Sequence, residues 1–150
     1  MRFDDFDKEM RVYEESLDQF ILQDMYIVTR LDGRSFTRLT KEVCKFEAPF
    51  DVKFRDLMVE TVKSVMGCGF RIVYGYTESD EISLLFHAEE PSFGRKVRKI
   101  NTTLAGEASA AFSLALGELL LLIVELFLCL TRSGWPIILY GDKRIRIVIP

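Results

Sequence analysis

The stretch Arg30-Leu31-Asp32-Gly33-Arg34-Ser35-Phe36 ends an apolar run with a carboxylate and a glycine turn. Residues 25–31 are rich in strand formers, which predicts a core strand ending at Asp32. A second stretch, Tyr74-Gly75-Tyr76-Thr77-Glu78-Ser79-Asp80-Glu81, joins two further strand-like runs. Only residues 77–81 separate run 70–76 from run 82–87, which predicts an antiparallel hairpin.

Three helices are predicted around these strands. Apolar residues recur at helical spacing over 3–20, in a helix expected to lie on another element, and again over 51–66. Ser92 is positioned to cap a third helix that runs from Phe93 to about Leu116. The order strand, helix, strand, strand, helix needs one more strand to complete a βαββαβ unit. The expected fold class is therefore α+β and ferredoxin-like, with one domain.

The composition is that of a globular protein, with 49% apolar and 29% charged residues among 150. The net charge of −3 gives no general attraction for nucleic acid, so any such binding must come from local patches. The longest apolar run, Leu119 to Leu130, contains Glu125 and is shorter than the ~20 residues of a membrane span. Cys44, Cys68 and Cys129 lack metal-site spacing, which favours reduced thiols and a cytoplasmic location. The acidic N-terminus does not resemble a signal peptide.

Two carboxylates are predicted to meet at one edge of the sheet. The first and third strands of a βαββαβ sheet are adjacent, so Asp32 and the hairpin-tip Asp80 come close. Oxygen ligands of this kind suit Mg²⁺ shared with substrate phosphates, and two such ions would serve nucleotidyl transfer. The carbonyl of Gly33 is a further ligand, and Glu81 has a supporting role. The alternative is that these are ordinary turn residues, since Asp-Gly and Ser-Asp are common in turns.

A cluster of cations follows the hairpin at the start of the third helix, where positive charge opposes the helix dipole. Its members are Arg95, Lys96, Arg98 and Lys99. One interpretation is a site for a triphosphate or an RNA phosphate. The other is a solvated charged face.

These motifs resemble those of the tRNA(His) guanylyltransferase superfamily. The resemblance spans about residues 2–116 and depends on Arg30 to Phe36, Tyr74 to Ser83 and Phe93 to Lys99. It is nearest to the bacterial and archaeal "like" branch, the 3′–5′ RNA polymerases that repair tRNA 5′ ends. The resemblance implies a polymerase-type palm domain with two Mg²⁺ ions.

The resemblance also implies roles for individual residues. The metal ligands match Asp32, the carbonyl of Gly33, and Asp80, and Glu81 matches a further catalytic acidic position. The nucleotide-binding positions match Asp32, Gly33, Arg34, Ser35, Phe36, Thr37, Ser79 and Asp80. The triphosphate contacts match Arg95, Lys96 and Lys99.

The implied reaction is attack by the 3′-OH of a nucleoside triphosphate on an activated tRNA 5′ end. GTP and ATP are the implied substrates, tRNA is the partner, and the family forms tetramers. One departure is Ala48 before Pro49, where eukaryotic members have Lys. This departure favours template-directed repair over strict G₋₁ addition. The alternatives are a palm-type nucleotidyl cyclase and a catalytically impaired nucleotide- or tRNA-binding fragment.

The sequence after Leu116 departs from the family, which divides the chain into a catalytic domain, 1–116, and a non-family tail, 117–150. The expected segments Phe-Asp-Cys-Arg and Asp-Tyr-Phe-x-Trp-Arg-Gln are missing. Permitted codons for residues 121–125 and from Pro136 onward, read one nucleotide earlier, restore both. We therefore interpret the tail as a frameshift product, with the last palm strand replaced or missing. Exposure or disorder is expected for the apolar tail residues Trp135, Ile137, Ile138 and the Ile147-Val148-Ile149 end. The chain is expected to be compromised in activity.

Overall fold

The computed structural model describes residues 3–48 and 51–117, together with the strand backbones of residues 122–131 and 136–138. Its helices and strands alternate along the chain. The helices are α1 (Phe3–Glu15), the short α2 (Phe36–Arg38), α3 (Val52–Met66) and α4 (Val97–Leu116). The strands are β1 (Met25–Gly33), β2 (Ile72–Glu78), β3 (Glu81–Phe86), β4 (Leu122–Thr131) and β5 (Pro136–Ile138). The predicted α+β class is confirmed.

One sheet contains these strands in the order β2-β3-β1-β4-β5, and neighbouring strands are antiparallel. The predicted hairpin is β2–β3, whose turn is only Ser79 and Asp80. In the register of β1 against β3, Leu31 lies opposite Ile82 and Asp32 lies opposite Glu81. Because successive side chains of a strand point to opposite faces, Leu31 and Asp32 lie on opposite faces of the sheet.

The core lies between one face of the sheet and the helices α3 and α4. Ile27, Leu31, Ile82, Leu84 and Phe86 face it from the strands, and each of these side chains is fully buried. Gly75 of β2 lies so close to α3 that a Cβ there would be 2.7 Å from Val62. The glycine therefore allows α3 to contact β2 directly.

Helix α1 differs from the prediction in length and in packing. It ends at Glu15 rather than near residue 20, and it contains no buried residue. Phe3 is 82% exposed. After the helix, the backbone of Gln19 and Ile21 forms hydrogen bonds with Val97 and Arg95, at 2.9 and 3.1 Å.

Helix α4 begins at Val97, so the prediction that Ser92 caps it is wrong. The backbone of Phe93, Gly94 and Arg95 has positive φ angles of 55°, 60° and 63°, which cannot continue into a right-handed helix. Ser92 instead donates its N–H to the side chain of Glu90 at 2.8 Å.

Strand β4 pairs with β1 along residues Met25–Gly33, with an irregularity between Val28 and Thr29. It lies where the sequence led us to expect a replaced or missing strand. The frameshift origin and the domain boundary at residue 116 stay predictions. Ile137 and Ile138 were also expected to be exposed or disordered, and their backbone forms β5, which pairs with β4. Trp135 and the Ile147-Val148-Ile149 end, for which the same was expected, lie outside the described residues.

Candidate functional site

Predicted site residues meet at the end of the sheet where β1 finishes and the β2–β3 hairpin turns. Asp32 lies opposite Glu81, which directly follows Asp80 of the turn. Residues opposite each other in an antiparallel pair have Cβ atoms about 4.5–5.5 Å apart. The register thus places Asp32 beside Glu81, and the predicted meeting of Asp32 with Asp80 stays a prediction.

Asp80 and Glu81 are consecutive but lie in different surroundings. Glu81 forms an ion pair with Arg30, whose side chain is 10% exposed, on the face away from the core. Asp80 lies in the two-residue turn and lines a cleft beside Phe36 and Phe54. Arg30 was absent from the predicted site residues, although its place two residues before Asp32 puts both on one strand face.

The cleft next to Asp80 is open and has a volume of about 130 Å³. It is lined by Phe36, Thr37, Thr40, Lys41, Phe54, Ser79 and Asp80. Four of these residues were predicted as nucleotide-binding, whereas Thr40, Lys41 and Phe54 were not. The segment after Phe36 carries no motif beyond a short helix, so the sequence offered little signal for Thr40 or Lys41.

Phe36 fixes one wall of the cleft to the core. Its ring is 2% exposed and lies 5.1 Å from the ring centre of Phe112 and 6.0 Å from that of Phe54. A Cβ added to Gly33 would lie 2.0 Å from the Phe36 ring, so only glycine fits beneath it. Packing alone therefore accounts for a glycine at position 33, beside its predicted role as a metal ligand.

Ser35 and Arg34 lie where the chain turns from β1 into α2. Ser35 has a φ of 61°, and its carbonyl accepts hydrogen bonds from the N–H groups of Arg38 and Leu39 at 3.0 and 3.2 Å. Arg34 and Ser35 are exposed, and neither is among the residues that line the cleft. Their predicted nucleotide contacts stay predictions.

The predicted triphosphate cations lie apart from the residues that line the cleft. Arg95 is 1% exposed, and its guanidinium donates to the carbonyls of Ile21 at 3.2 Å, Ala88 and Glu90 at 3.3 Å each, and Met25. Lys99 is exposed at the start of α4. The role of Arg95, Lys96 and Lys99 in binding a triphosphate stays a prediction, and Arg95 has a structural role here.

An aspartate of the same chain lies against the cations at the start of α4. The Asp18 carboxylate is 2.5 Å from the Lys96 ammonium and 3.1 Å from the Arg98 guanidinium, and its side chain is 1% exposed. The hydrogen bond from Lys96, reinforced by Arg98, lowers the pKa of Asp18 below its ordinary value. This contact ties the segment after α1 to α4.

This lowered pKa predicts loss of stability in acid. A depressed carboxyl pKa contributes stability above the unfolded value of about 3.9, and that contribution is lost as the pH falls through the lower folded value. The pKa of Asp18 sets a window of roughly pH 5 to pH 2 for this loss. Across it, we expect the urea midpoint of the wild-type chain to fall more than that of Asp18→Asn. The exposed Asp24→Asn is the matched control and should follow the wild type. Parallel curves for wild type and Asp18→Asn would contradict the prediction.

No three His, Cys, Asp or Glu side chains within the described ranges form a group that could hold a metal ion. Among the same residues, no helix is both long and apolar enough for a membrane span.

Comparison with known proteins matches the chain to a protein family. The family model described as tRNAHis guanylyltransferase (Thg1) matches residues 7–126. The tRNA(His) guanylyltransferase of Neurospora crassa is 36% identical over 92 residues, which cover 61% of this chain and 31% of that protein. The chain spans about a third of the length of the curated relatives it matches.

Solved structures show the same fold. A bacterial tRNA(His) guanylyltransferase-like protein in complex with GTP has a TM-score of 0.69 and 24% identity, covering 81% of this chain and 58% of that one. Its complex with ATP has a TM-score of 0.71 and 24% identity, with 81% and 57% covered. At this identity the likeness establishes the fold, and the family match extends over most of the sequence. This chain belongs to the tRNAHis guanylyltransferase family.

Proposed function

We propose that this chain is the catalytic domain of a Mg²⁺-dependent nucleotidyltransferase that adds nucleotides to tRNA 5′ ends in the 3′–5′ direction. The observation that carries the proposal is the acidic end of the sheet, with Asp32 opposite Glu81 and Asp80 next to it in the turn. The family match supports the reaction class. Reverse polarity and metal dependence are parts of the proposal itself.

The strand order supports a ferredoxin-like palm as the framework. Leaving out β5, the order β2-β3-β1-β4 with helices before β2 and after β3 is the arrangement of a βαββαβ unit. In that framework β1 is a central strand, so Asp32 is held by neighbours on both sides. A rigid strand end is a suitable support for a group that must hold a reacting phosphate in position.

The donor set fits Mg²⁺ that is shared with a substrate. The proposed donors are the carboxylates of Asp32 and Asp80 and the carbonyl of Gly33, since Mg²⁺ prefers oxygen ligands together with phosphates and water. Asp80 lines the cleft, whereas Asp32 lies at the strand end on the face that carries Arg30 and Glu81. Bound there, Mg²⁺ would neutralise charge on the transferring phosphates.

The chain's own groups then have distinct tasks. The Ser79 hydroxyl donates a hydrogen bond to Asp80 at 3.1 Å, which orients that carboxylate within the turn. Arg30 holds Glu81 on the other face, so Glu81 supports the end of β3 rather than the cleft. The Thr37 hydroxyl also lines the cleft and is available to a ligand there.

The proposed substrates are GTP or ATP with tRNA as the acceptor. The two solved relatives are complexes with GTP and with ATP, and the curated relatives are named for tRNA(His). These are properties of those proteins, and they support the same substrate classes here. The tetramer and the cytoplasmic location implied by the resemblance stay predictions.

The direct test is incorporation of labelled GTP into a tRNA that lacks its first 5′ nucleotide. We expect the full chain to give a product one nucleotide longer in the presence of Mg²⁺, and none after chelation with EDTA. A labelled product formed without tRNA would support the cyclase alternative. Nucleotide binding with no product at any enzyme concentration would overturn the proposal and favour a binding fragment.

A further inference from the structure

Lys41 is a cation at the candidate site that neither the sequence motifs nor the family resemblance singled out. Among the described residues that line the cleft it is the one positively charged side chain, and Asp80 is the one acidic side chain. The two do not form an ion pair, since every described pair within 4.0 Å involves other residues. The cleft therefore separates a cation from a carboxylate.

The segment that carries Lys41 is held firmly at its start. Phe36 anchors it in the core, and the Thr40 hydroxyl donates to the Phe36 carbonyl at 2.9 Å. Residues Leu39–Val43 form a π-helical turn, closed by a hydrogen bond of 2.8 Å from the Cys44 N–H to the Leu39 carbonyl. Such turns are rare and often occur at functional sites. This wide turn carries Lys41 at the cleft.

The size of the cleft limits what Lys41 meets there. Its volume is about 130 Å³, and a cavity of about 150 Å³ holds a benzene-sized molecule. A phosphate group fits this space, and the open side of the cleft leaves room for the rest of a nucleotide beyond it. Of the hydroxyls that line it, those of Thr40 and Ser79 already donate to the Phe36 carbonyl and to Asp80. The Thr37 hydroxyl forms no hydrogen bond among the described residues and can donate to a phosphate oxygen.

Two of the three cations predicted to contact the triphosphate are engaged elsewhere. Arg95 is buried against backbone carbonyls, and Lys96 is paired with Asp18 at 2.5 Å. Neither of them is among the residues that line the cleft. Lys41 has no such partner within the part of the chain that the structure describes.

We infer that Lys41 binds a phosphate group of the substrate in the cleft beside Asp80. The inference rests on the proposed function for the identity of the substrate. The phosphate belongs either to the nucleoside triphosphate or to the 5′ end of the RNA, and the chemistry of recognition is the same for both. A lysine serves here as a point charge that a phosphate oxygen approaches.

The test compares Lys41→Gln with Arg38→Gln in the full chain. Arg38 lies on the same segment, is exposed, forms an i,i+4 ion pair with Glu42 at 3.7 Å, and is not a cleft residue. Both changes remove one positive charge, so they match in net charge. Binding is measured at fixed salt and Mg²⁺ for a non-hydrolysable GTP analogue, for guanosine, and for one RNA with a 5′-phosphate or a 5′-hydroxyl.

We expect Lys41→Gln to weaken binding of the GTP analogue or of the 5′-phosphorylated RNA about tenfold, the effect of one charged hydrogen bond. The ligand that loses affinity identifies the source of the phosphate. Guanosine and the 5′-hydroxyl RNA should bind within about twofold of wild type, and Lys41→Arg should retain most of the affinity. Circular dichroism and the urea midpoint verify that all variants are folded.

Equal affinities of Lys41→Gln and Arg38→Gln for both phosphate ligands would overturn the inference. So would a loss that is equally large for guanosine, or a wild-type chain that binds neither phosphate ligand. The outcome is separable from that of the proposed function. Phosphate-selective binding that depends on Lys41, in a chain that transfers no nucleotide, would leave the inference standing and remove the proposed activity.

Discussion

Asp80→Asn is expected to lower nucleotide addition to 5′-truncated tRNA by about 10²- to 10³-fold, the usual cost of removing one group that stabilises the reacting charges. Asparagine has the same shape and keeps an oxygen that can accept the Ser79 hydrogen bond, now 3.1 Å long. The turn should therefore survive, while the negative charge in the cleft is lost. The measurement is the single-turnover rate of labelled GTP incorporation at saturating Mg²⁺.

Glu78→Gln is the matched control for Asp80→Asn. Glu78 is an exposed carboxylate directly before the turn, and it accepts a hydrogen bond from the Tyr76 hydroxyl at 3.0 Å. Its replacement removes the same charge from the same hairpin without changing the cleft lining. We expect its rate to stay within about threefold of wild type, since surface substitutions have small effects. Equal losses in the two variants would show that the net charge of the hairpin matters, and not the position of Asp80.

Arg95→Met is expected to lower the free energy of unfolding by about 3–5 kcal/mol, as breaking a buried charged network does. The Arg95 guanidinium is 1% exposed and donates to four backbone carbonyls, those of Ile21, Met25, Ala88 and Glu90. Methionine fills the space of the stem but leaves these carbonyls without their donor. Urea unfolding monitored by circular dichroism measures the loss.

Arg98→Met provides the comparison at a neighbouring position. Its side chain is 54% exposed and its ion pair with Asp18 is 3.1 Å long, so we expect a loss of no more than about 1 kcal/mol. If Arg95→Met were as stable as Arg98→Met, the network around Arg95 would not hold the fold. The structural role of Arg95 would then be wrong, and its predicted role in binding triphosphate would gain weight.

The central features of the fold were accessible from sequence because their signals are local. The run before Asp32 ended in Asp-Gly, and the hairpin consisted of two strand-forming runs around a short polar turn. Asp51 stood at the predicted start of α3, and its carboxylate does cap that helix by accepting from the Phe54 N–H at 3.0 Å. Hydrogen bonds from the Glu47 and Phe54 backbone lower the pKa of Asp51.

The errors arose where distant residues decide the local structure. Arg95 reaches the carbonyls of Ile21 and Met25, 74 and 70 positions away along the chain, and residues 93–95 take positive φ angles there. No pattern within a window of sequence contains those contacts, so α4 was predicted to start too early and α1 to end too late. Lys41 was missed for the same reason, because the cleft forms only when the segment after Phe36 meets the hairpin turn.

The position of Phe36 has a consequence for the cooperativity of the molecule. One ring serves both as a wall of the cleft and as a member of the aromatic cluster that joins α3 to α4. Local opening of residues 36–43 would expose the Phe36 ring and break its contacts with the aromatic rings of α3 and α4. Such opening therefore requires part of the free energy of global unfolding. A ligand that closes the cleft therefore stabilises the whole domain, and amide hydrogen exchange in α3 and α4 should slow together with that in residues 36–43.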